Sequence, residues 1–160
     1  MTQITIPAQV VNGHLQHEKS LAELEGEDVL ATLTVVPKHA PPIDWQKSRD
    51  RIDSFKALKD GWDGYRAPAP SADAVSQAKF FLEEAAKSKF APSRLAPAVV
   101  GGVGFTFKLA DRKVYVEFRN SGSVHALLSD GLSDPVVEKV QADHSGYADL
   151  MLRIKGYLHE

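Results

Sequence analysis

Hydrophobic and polar positions alternate with a period of two in the C-terminal part of the chain, from Pro97 onward. Four segments there have the alternation, or the short apolar run, of a β-strand: residues 98–100, 102–109, 113–118 and 123–128. Val136–Val140 predicts a further edge strand, and helical spacing returns over residues 147–158. This pattern predicts an antiparallel meander followed by a C-terminal helix, with one face of the sheet exposed to water.

A first helix is predicted before the meander, starting after Asp44 and ending near Leu58. Trp45, Ile52 and Phe55 fall on one stripe of that helix at a spacing of 3.6 residues. Asp44 precedes the stripe, where a side-chain oxygen can accept a hydrogen bond from a free backbone amide. The opposite side carries charges of both signs and is predicted to face solvent.

A second helix is predicted over residues 72–89, with Ser71 as its N-cap and Asp73 in its first turn. Its apolar face consists of Ala74, Val75, Ala78, Phe81, Leu82 and Ala85. Phe80 lies nearly opposite that face at 100° per residue. The sequence leaves two interpretations of Phe80 open, a contact with another element or an exposed interface residue.

The N-terminal part of the chain is predicted to form a small β unit over residues 1–37. Residues 3–11 alternate, Asn12-Gly13 is typical of a type I′ hairpin turn, and residues 28–36 predict a further strand. A proline-containing linker is expected over residues 38–43, followed by one α+β domain over residues 44–160. The predicted fold class is therefore α+β: an N-terminal hairpin unit, two helices, a meander sheet and a C-terminal helix.

The segment between the two helices, residues 59–71, carries the clearest local motif of the chain. Gly61 and Gly64 bracket Trp62-Asp63, and Tyr65-Arg66 follow. Glycines at this spacing permit positive φ on both sides of a tight bend, and Asp63 can accept backbone N–H bonds within it. Two interpretations remain open: a connector pinned to the core by its aromatic residues, or a recognition surface presenting them.

Composition narrows the class of protein. The 160 residues carry a formal net charge of −2, which disfavours a protein whose main role is to coat nucleic acid. The absence of cysteine excludes disulfides, thiolate metal sites and thiol nucleophiles. We see no apolar segment long enough for a membrane span and no signal-peptide pattern, and we expect a cytoplasmic protein.

Signals for chemistry are few, and we predict no cofactor, no metal and no enzymatic activity. The alternative is a metal-dependent nuclease or hydrolase, because Asp111 precedes a strand that contains Glu117-x-Arg119. His125 is predicted to be a partly buried structural residue. The sequence Gly101-Gly102-Val103-Gly104 resembles a phosphate loop but leads into a strand, so we interpret it as a turn or bulge.

Two segments resemble known families. The first, residues 4–36, resembles small bacterial antitoxin-like β-hairpin proteins through Asn12, Gly13, Leu15, Leu21, Gly26 and Val29. That resemblance implies dimerisation through the hairpin or contact with a toxin, and in outline also DNA binding. Five acidic residues against Lys19 give residues 1–36 a net charge of −4, so nucleic acid is not expected to bind there.

The second resemblance covers Trp45 to about Gly131 and is to an uncharacterised bacterial and phage family with a (G/N)WDGYxAxxPS motif. The matching residues are Gly61, Trp62, Asp63, Gly64, Tyr65, Ala67, Pro70 and Ser71. Arg66 departs from the small residue expected at its position. The resemblance implies association with toxin or defence proteins rather than catalysis.

We therefore expect a non-catalytic protein that binds another protein, similar to an antitoxin or to an accessory of a toxin or defence system. Its predicted contact residues are Trp62, Asp63, Tyr65, Arg66 and Phe80. A DNA-binding autoregulator is the second hypothesis, and the metal-dependent hydrolase is the third.

Overall fold

The structure is a computed structural model that describes residues 8–11, 14–17 and 43–159. The chain divides into two compact units, Met1–Ala40 and Pro41–Glu160. In the first unit, β1 (Ala8–Val11) and β2 (His14–His17) pair antiparallel. The Asn12-Gly13 turn and the strand predicted at 28–36 lie outside the described residues, so the architecture of residues 1–37 stays a prediction.

The second unit begins with the helix predicted after Asp44. Helix α1 (Trp45–Ser54) starts where Oδ1 of Asp44 accepts a hydrogen bond from the backbone N of Lys47 at 2.9 Å. This bond satisfies an amide that has no acceptor within the helix. A 3-10 turn over Phe55–Ala57 follows, and the backbone is extended at Leu58. The cap at Asp44 is confirmed.

Helix α2 (Ala72–Lys87) has the predicted cap at Ser71, whose Oγ accepts a hydrogen bond from the backbone N of Ala74 at 3.1 Å. Its predicted apolar face is buried as a whole, and Asp73 lies in its first turn. A carboxylate at that position interacts favourably with the free amides of the helix N-terminus. Local chemistry and tertiary packing therefore agree on where this helix begins.

The end of α2 comes two residues before the predicted Lys89. Lys89 adopts a left-handed backbone with φ of 52°, and its N donates to the Ala86 carbonyl at 3.0 Å. The N of Phe90 donates to the Ala85 carbonyl at 3.0 Å. These two bonds form a Schellman motif, which usually places glycine where this chain has lysine. Because lysine stands where glycine usually marks the motif, this helix end has no signal in the sequence.

The second unit contains one antiparallel sheet whose strands lie side by side in chain order. The strands are β3 (Arg94–Pro97), β4 (Gly102–Leu109), β5 (Arg112–Arg119), β6 (Val124–Ser129) and β7 (Val136–Val140). Helix α3 (His144–His159) follows, three residues longer at its start than predicted. The meander, the closing helix and the α+β class are confirmed.

The first strand of the sheet lies earlier than predicted, because residues 98–101 form a turn instead of a strand. The N of Gly101 donates to the Ala98 carbonyl, and the N of Ala98 donates to the Gly102 carbonyl, both at 2.9 Å. Gly101 and Gly102 have φ of 87° and 129°, a region that glycine tolerates and that interrupts a strand. The interpretation of the glycine-rich segment as a turn is confirmed.

The core of the second unit lies between one face of the sheet and the helices. Phe81 of α2 is at its centre, with ring centroids 5.1 Å from Phe105, 5.3 Å from Phe118 and 5.8 Å from Tyr147. All four side chains are buried. Tilted and edge-to-face ring pairs at these distances stabilise the fold beyond the contribution of their buried apolar area. This packing fixes which face of each strand is turned toward the helices.

Candidate functional site

The site predicted from the sequence is the loop between the 3-10 turn and α2, here called the aromatic loop, residues 60–69. Gly61 and Gly64 have φ of 81° and 83°, which a side chain would strain. The N of Gly64 donates to the Gly61 carbonyl, and the N of Gly61 donates to the Ala67 carbonyl, both at 2.9 Å. The two glycines therefore close the bend, as their spacing predicts.

Two aspartates organise the backbone of the aromatic loop. Oδ1 of Asp63 accepts hydrogen bonds from the N of Tyr65 at 2.9 Å and from the N of Ala67 at 3.2 Å. Oδ1 of Asp60 accepts one from the N of Ala69 at 2.8 Å. The structure thus gives Asp63 the Asx-turn role predicted for it. Asp63 thus holds the loop through its Oδ1 atom, which accepts both hydrogen bonds.

Trp62 contributes mainly to the loop itself. Its indole Nε1 donates to the Pro68 carbonyl at 3.2 Å, and the residue is only partly exposed. A buried or half-buried tryptophan usually pairs its single donor in this way. Replacing Trp62 would therefore disturb the loop as well as any surface around it.

Asn120, in the β5–β6 turn, fixes the aromatic loop to the sheet. Its Nδ2 donates to the Ala69 carbonyl at 2.8 Å, and its Oδ1 accepts from the N of Ser71 at 2.7 Å. The side chain packs against Gly101, where a Cβ would lie 3.1 Å from Cγ of Asn120. In the sequence, Asn120-Ser121-Gly122 predicts only a turn between two strands. No local signal distinguishes an asparagine that bridges 51 residues from one that only turns the chain.

Tyr65 and Arg66 are the residues that this fixed loop presents to solvent. Tyr65 is 86% exposed, and Arg66 is also exposed. The neighbouring Ala67 is buried, so the chain turns inward directly after them. Of the loop residues predicted to contact a partner, these two carry the accessible surface, while Trp62 and Asp63 support it.

Phe80 lies elsewhere, on the seam between α2 and the start of α3. It is 49% exposed, and its ring meets the His144 ring edge-on at 5.4 Å. His144 Nδ1 lies 3.9 Å from Oε1 of the buried Glu84. Phe80 therefore both contacts another element and remains half exposed, so neither interpretation left open by the sequence is excluded. Its ring contact among the described residues is with α3, so the structure gives no reason to join it to the aromatic loop.

Asp111 and Glu117, the pair behind the hydrolase alternative, are separated by the length of β5. Asp111 lies in the turn before the strand, and Glu117 lies six residues further on. At about 3.3 Å per residue this is roughly 20 Å, too far for both carboxylates to bind one ion. Glu117 instead accepts from Nε of Arg119 at 2.6 Å and from the Tyr115 hydroxyl at 3.3 Å. Burial and the Glu117 carboxylate raise the pKa of Tyr115 to about 12.

His125 is partly buried on β6, as predicted, directly opposite Glu117 of β5 and Lys139 of β7. Within residues 43–159 its buried Nδ1 has no hydrogen-bond partner. Across the part of the chain that the structure describes, no group of three or more His, Cys, Asp or Glu side chains is placed to hold a metal ion.

Comparison of the chain with protein-family models, with curated proteins and with solved structures finds no match. The two resemblances given under Sequence analysis, and the roles they imply, therefore stay predictions. Among the described helices, none combines the length and the apolar character needed to cross a membrane.

Proposed function

We propose that this chain is a protein-binding protein whose contact surface is centred on Tyr65 and Arg66. The observation that carries the proposal is the 86% exposure of Tyr65 on a loop whose backbone is hydrogen-bonded on both sides of it. A tyrosine on an ordered loop offers a large contact area at a small entropic cost, because only its own side chain remains to be fixed.

Arg66 supports the same surface. Tyrosine and arginine are enriched among the residues that dominate binding energies, and here they are adjacent and both exposed. The motif that this segment resembles has a small residue at the position of Arg66. The guanidinium group would therefore give this chain its own preference among partners, through paired hydrogen bonds to a carboxylate.

Neutralisation of the partner is the proposed mode of action. Covering a surface requires an anchor and a rigid frame but no reacting groups, and the aromatic loop provides both. The resemblance of the N-terminal segment to antitoxin-like proteins favours a toxin or a defence-system protein as the partner. That segment would add a second contact or a homodimer interface.

The experiment is affinity capture of the tagged full chain from its source cell, followed by binding of the purified pair. We expect a stoichiometric complex. The Tyr65→Ala substitution is expected to weaken the free energy of binding by about 2 kcal/mol, which raises Kd roughly thirtyfold. Leu152→Ala is the matched control, because Leu152 is 70% exposed and belongs to a different element, α3. Trp62→Ala is a poor probe, since its indole supports the loop backbone.

Equal affinity of wild type, Tyr65→Ala and an Arg66→Ala variant for the captured partner would contradict the proposed surface. So would a partner lost equally with Leu152→Ala, because a general loss of fold or solubility would then explain the result.

A further inference from the structure

The sheet of the second unit has a face turned away from the described helices, here called the outer face. On β5, Val114, Val116 and Phe118 are buried against the helices, so the alternate residues point to the other side. The register extends this face across the other strands. Its polar and aromatic members are Arg94, Thr106, Lys108, Lys113, Tyr115, Glu117, Arg119, His125, Ser129 and Lys139.

The outer face is strongly basic although the chain as a whole is acidic. It carries five exposed cations, Arg94, Lys108, Lys113, Arg119 and Lys139, and a single acid, Glu117. The acid is already paired with Arg119 at 2.6 Å. A local charge of +4 in a chain of net charge −2 concentrates positive potential on one surface.

Two of these cations are placed against each other. Lys108 of β4 and Lys113 of β5 are direct cross-strand partners, and both are exposed. Like charges directly opposite each other destabilise a sheet. An anion bound between the two ammonium groups would remove that repulsion.

Tyr115 provides a flat aromatic surface among the cations. Its ring lies over Gly104 of β4, where a Cβ would come within 2.7 Å of Cε2 and 2.8 Å of Cζ. Only glycine at 104 lets the ring lie against the backbone. One side of the ring therefore rests on the sheet, and the residue remains partly exposed.

The basic surface continues beyond the sheet edge into a cleft between α1 and β3. The cleft has a volume of ≈ 430 Å³, and its lining includes the cations Lys47, Arg51 and Arg94 against one acid, Asp50. Arg94 also belongs to the outer face, in the cross-strand row of Thr106 and Tyr115. The cations of the cleft and those of the outer face thus form one track.

We propose that this track, from the α1–β3 cleft across the outer face, binds single-stranded nucleic acid. The lysines and arginines contact backbone phosphates, and a base stacks on Tyr115. Alternating phosphates and flat bases match a surface of spaced cations around a ring, whereas an acidic peptide offers charge but no base to stack. Ammonium groups and an aromatic ring do not read the sugar, so RNA and DNA strands are expected to bind alike.

The test is fluorescence anisotropy of labelled oligo(U) and oligo(dT) titrated with the full chain at several salt concentrations. The Tyr115→Leu variant is expected to bind roughly tenfold more weakly, since base stacking on an aromatic ring is lost. Tyr115→Phe keeps the ring and is expected to bind within about twofold of wild type. This pair separates the ring from the hydroxyl contact with Glu117.

The Lys108→Glu, Lys113→Glu double variant tests the phosphate contacts. Its salt dependence is expected to fall by roughly 1.4 in the log–log slope, about 0.7 for each lost phosphate contact on a single strand. Lys59→Glu with Lys89→Glu is the matched control, because both residues are exposed, change the charge equally and lie outside the track. The control is expected to keep the wild-type slope.

The proposal is overturned if wild type binds neither strand at low salt, or if the double variant binds as wild type does. It is also overturned if a duplex binds as tightly as a single strand, or if an acidic peptide competes as well as the oligonucleotide. Equal competition by the acidic peptide would make the track a docking site for an acidic protein. Because Tyr65 lies outside the track, Tyr65→Ala should leave oligonucleotide binding unchanged, so this proposal and the protein-binding function can fail separately.

Discussion

Trp62 and Tyr65 are three residues apart in one loop and carry similar aromatic surface, yet their environments differ. Trp62 uses its indole N–H on the Pro68 carbonyl, whereas Tyr65 is 86% exposed. The sequence predicts both as contact residues and cannot separate them, because the difference arises from the folded loop, which places the Pro68 carbonyl beside the Trp62 indole. Asn120 ties this loop to the sheet through two side-chain hydrogen bonds that no local sequence pattern predicts.

Asn120→Ala is predicted to lower the free energy of unfolding by about 1–2 kcal/mol, because it removes both side-chain hydrogen bonds by which Asn120 ties Ala69 and Ser71 to the sheet. Asn120→Asp keeps the acceptor for the Ser71 amide but turns a carboxylate oxygen toward the Ala69 carbonyl, so this variant is expected to be destabilised as well. Chemical denaturation measures the free energy of unfolding of both variants. An Asn120→Ala protein as stable as wild type would contradict the bridging role.

At the scale of elements, the starts of α1 and α2 could be predicted from the sequence, whereas the end of α2 could not. Asp44 and Ser71 stand where capping oxygens are needed, and the structure uses both. The end of α2 has no such signal, because Lys89 takes the left-handed conformation that glycine normally marks. The strand at Arg94–Pro97 was missed for a related reason: the apolar residues after it form a glycine turn.

Lys89→Gly is predicted to raise the free energy of unfolding by roughly 0.5–1 kcal/mol, because it removes the steric cost of a left-handed lysine. Ala86→Gly, within the same helix, is predicted to lower it by about 1 kcal/mol. Thermal and urea denaturation of the two variants should therefore move in opposite directions. A destabilised Lys89→Gly protein would contradict the strain assigned to this position.

At the scale of the whole molecule, the alternation of the meander strands predicted the sheet and its helix-facing side. The basic character of the outer face was not predicted, because the net charge of −2 sums over an acidic N-terminal unit and a sheet face of local charge +4. Residues 1–40 carry two Lys and Arg against five Asp and Glu, while residues 41–160 carry 17 against 16. Only the register places five of those cations together.

Two tyrosines make the free energy of unfolding depend on pH in the alkaline range. Burial raises the pKa of Tyr115 and of Tyr147 to about 12, with the Glu117 and Asp143 carboxylates adding to it. Since an unfolded tyrosine ionises near 10, their contribution to stability is present below about pH 10 and is lost as the pH rises toward 12. Absorbance titration of the folded protein should therefore find two tyrosines that ionise only near pH 12. The Tyr115→Phe variant should have one such tyrosine fewer. Complete ionisation well below pH 12 while the protein stays folded would contradict this.

The most direct test of the protein-binding account measures two quantities on one variant, Tyr65→Ala: its free energy of unfolding and its affinity for the captured partner. Because the Tyr65 side chain is exposed and the loop is held by Asp63 and Asn120, the free energy should stay within about 0.5 kcal/mol of wild type. The affinity should fall roughly thirtyfold. Unchanged affinity at unchanged stability would contradict the account, and a large loss of stability would show that Tyr65 supports the fold instead.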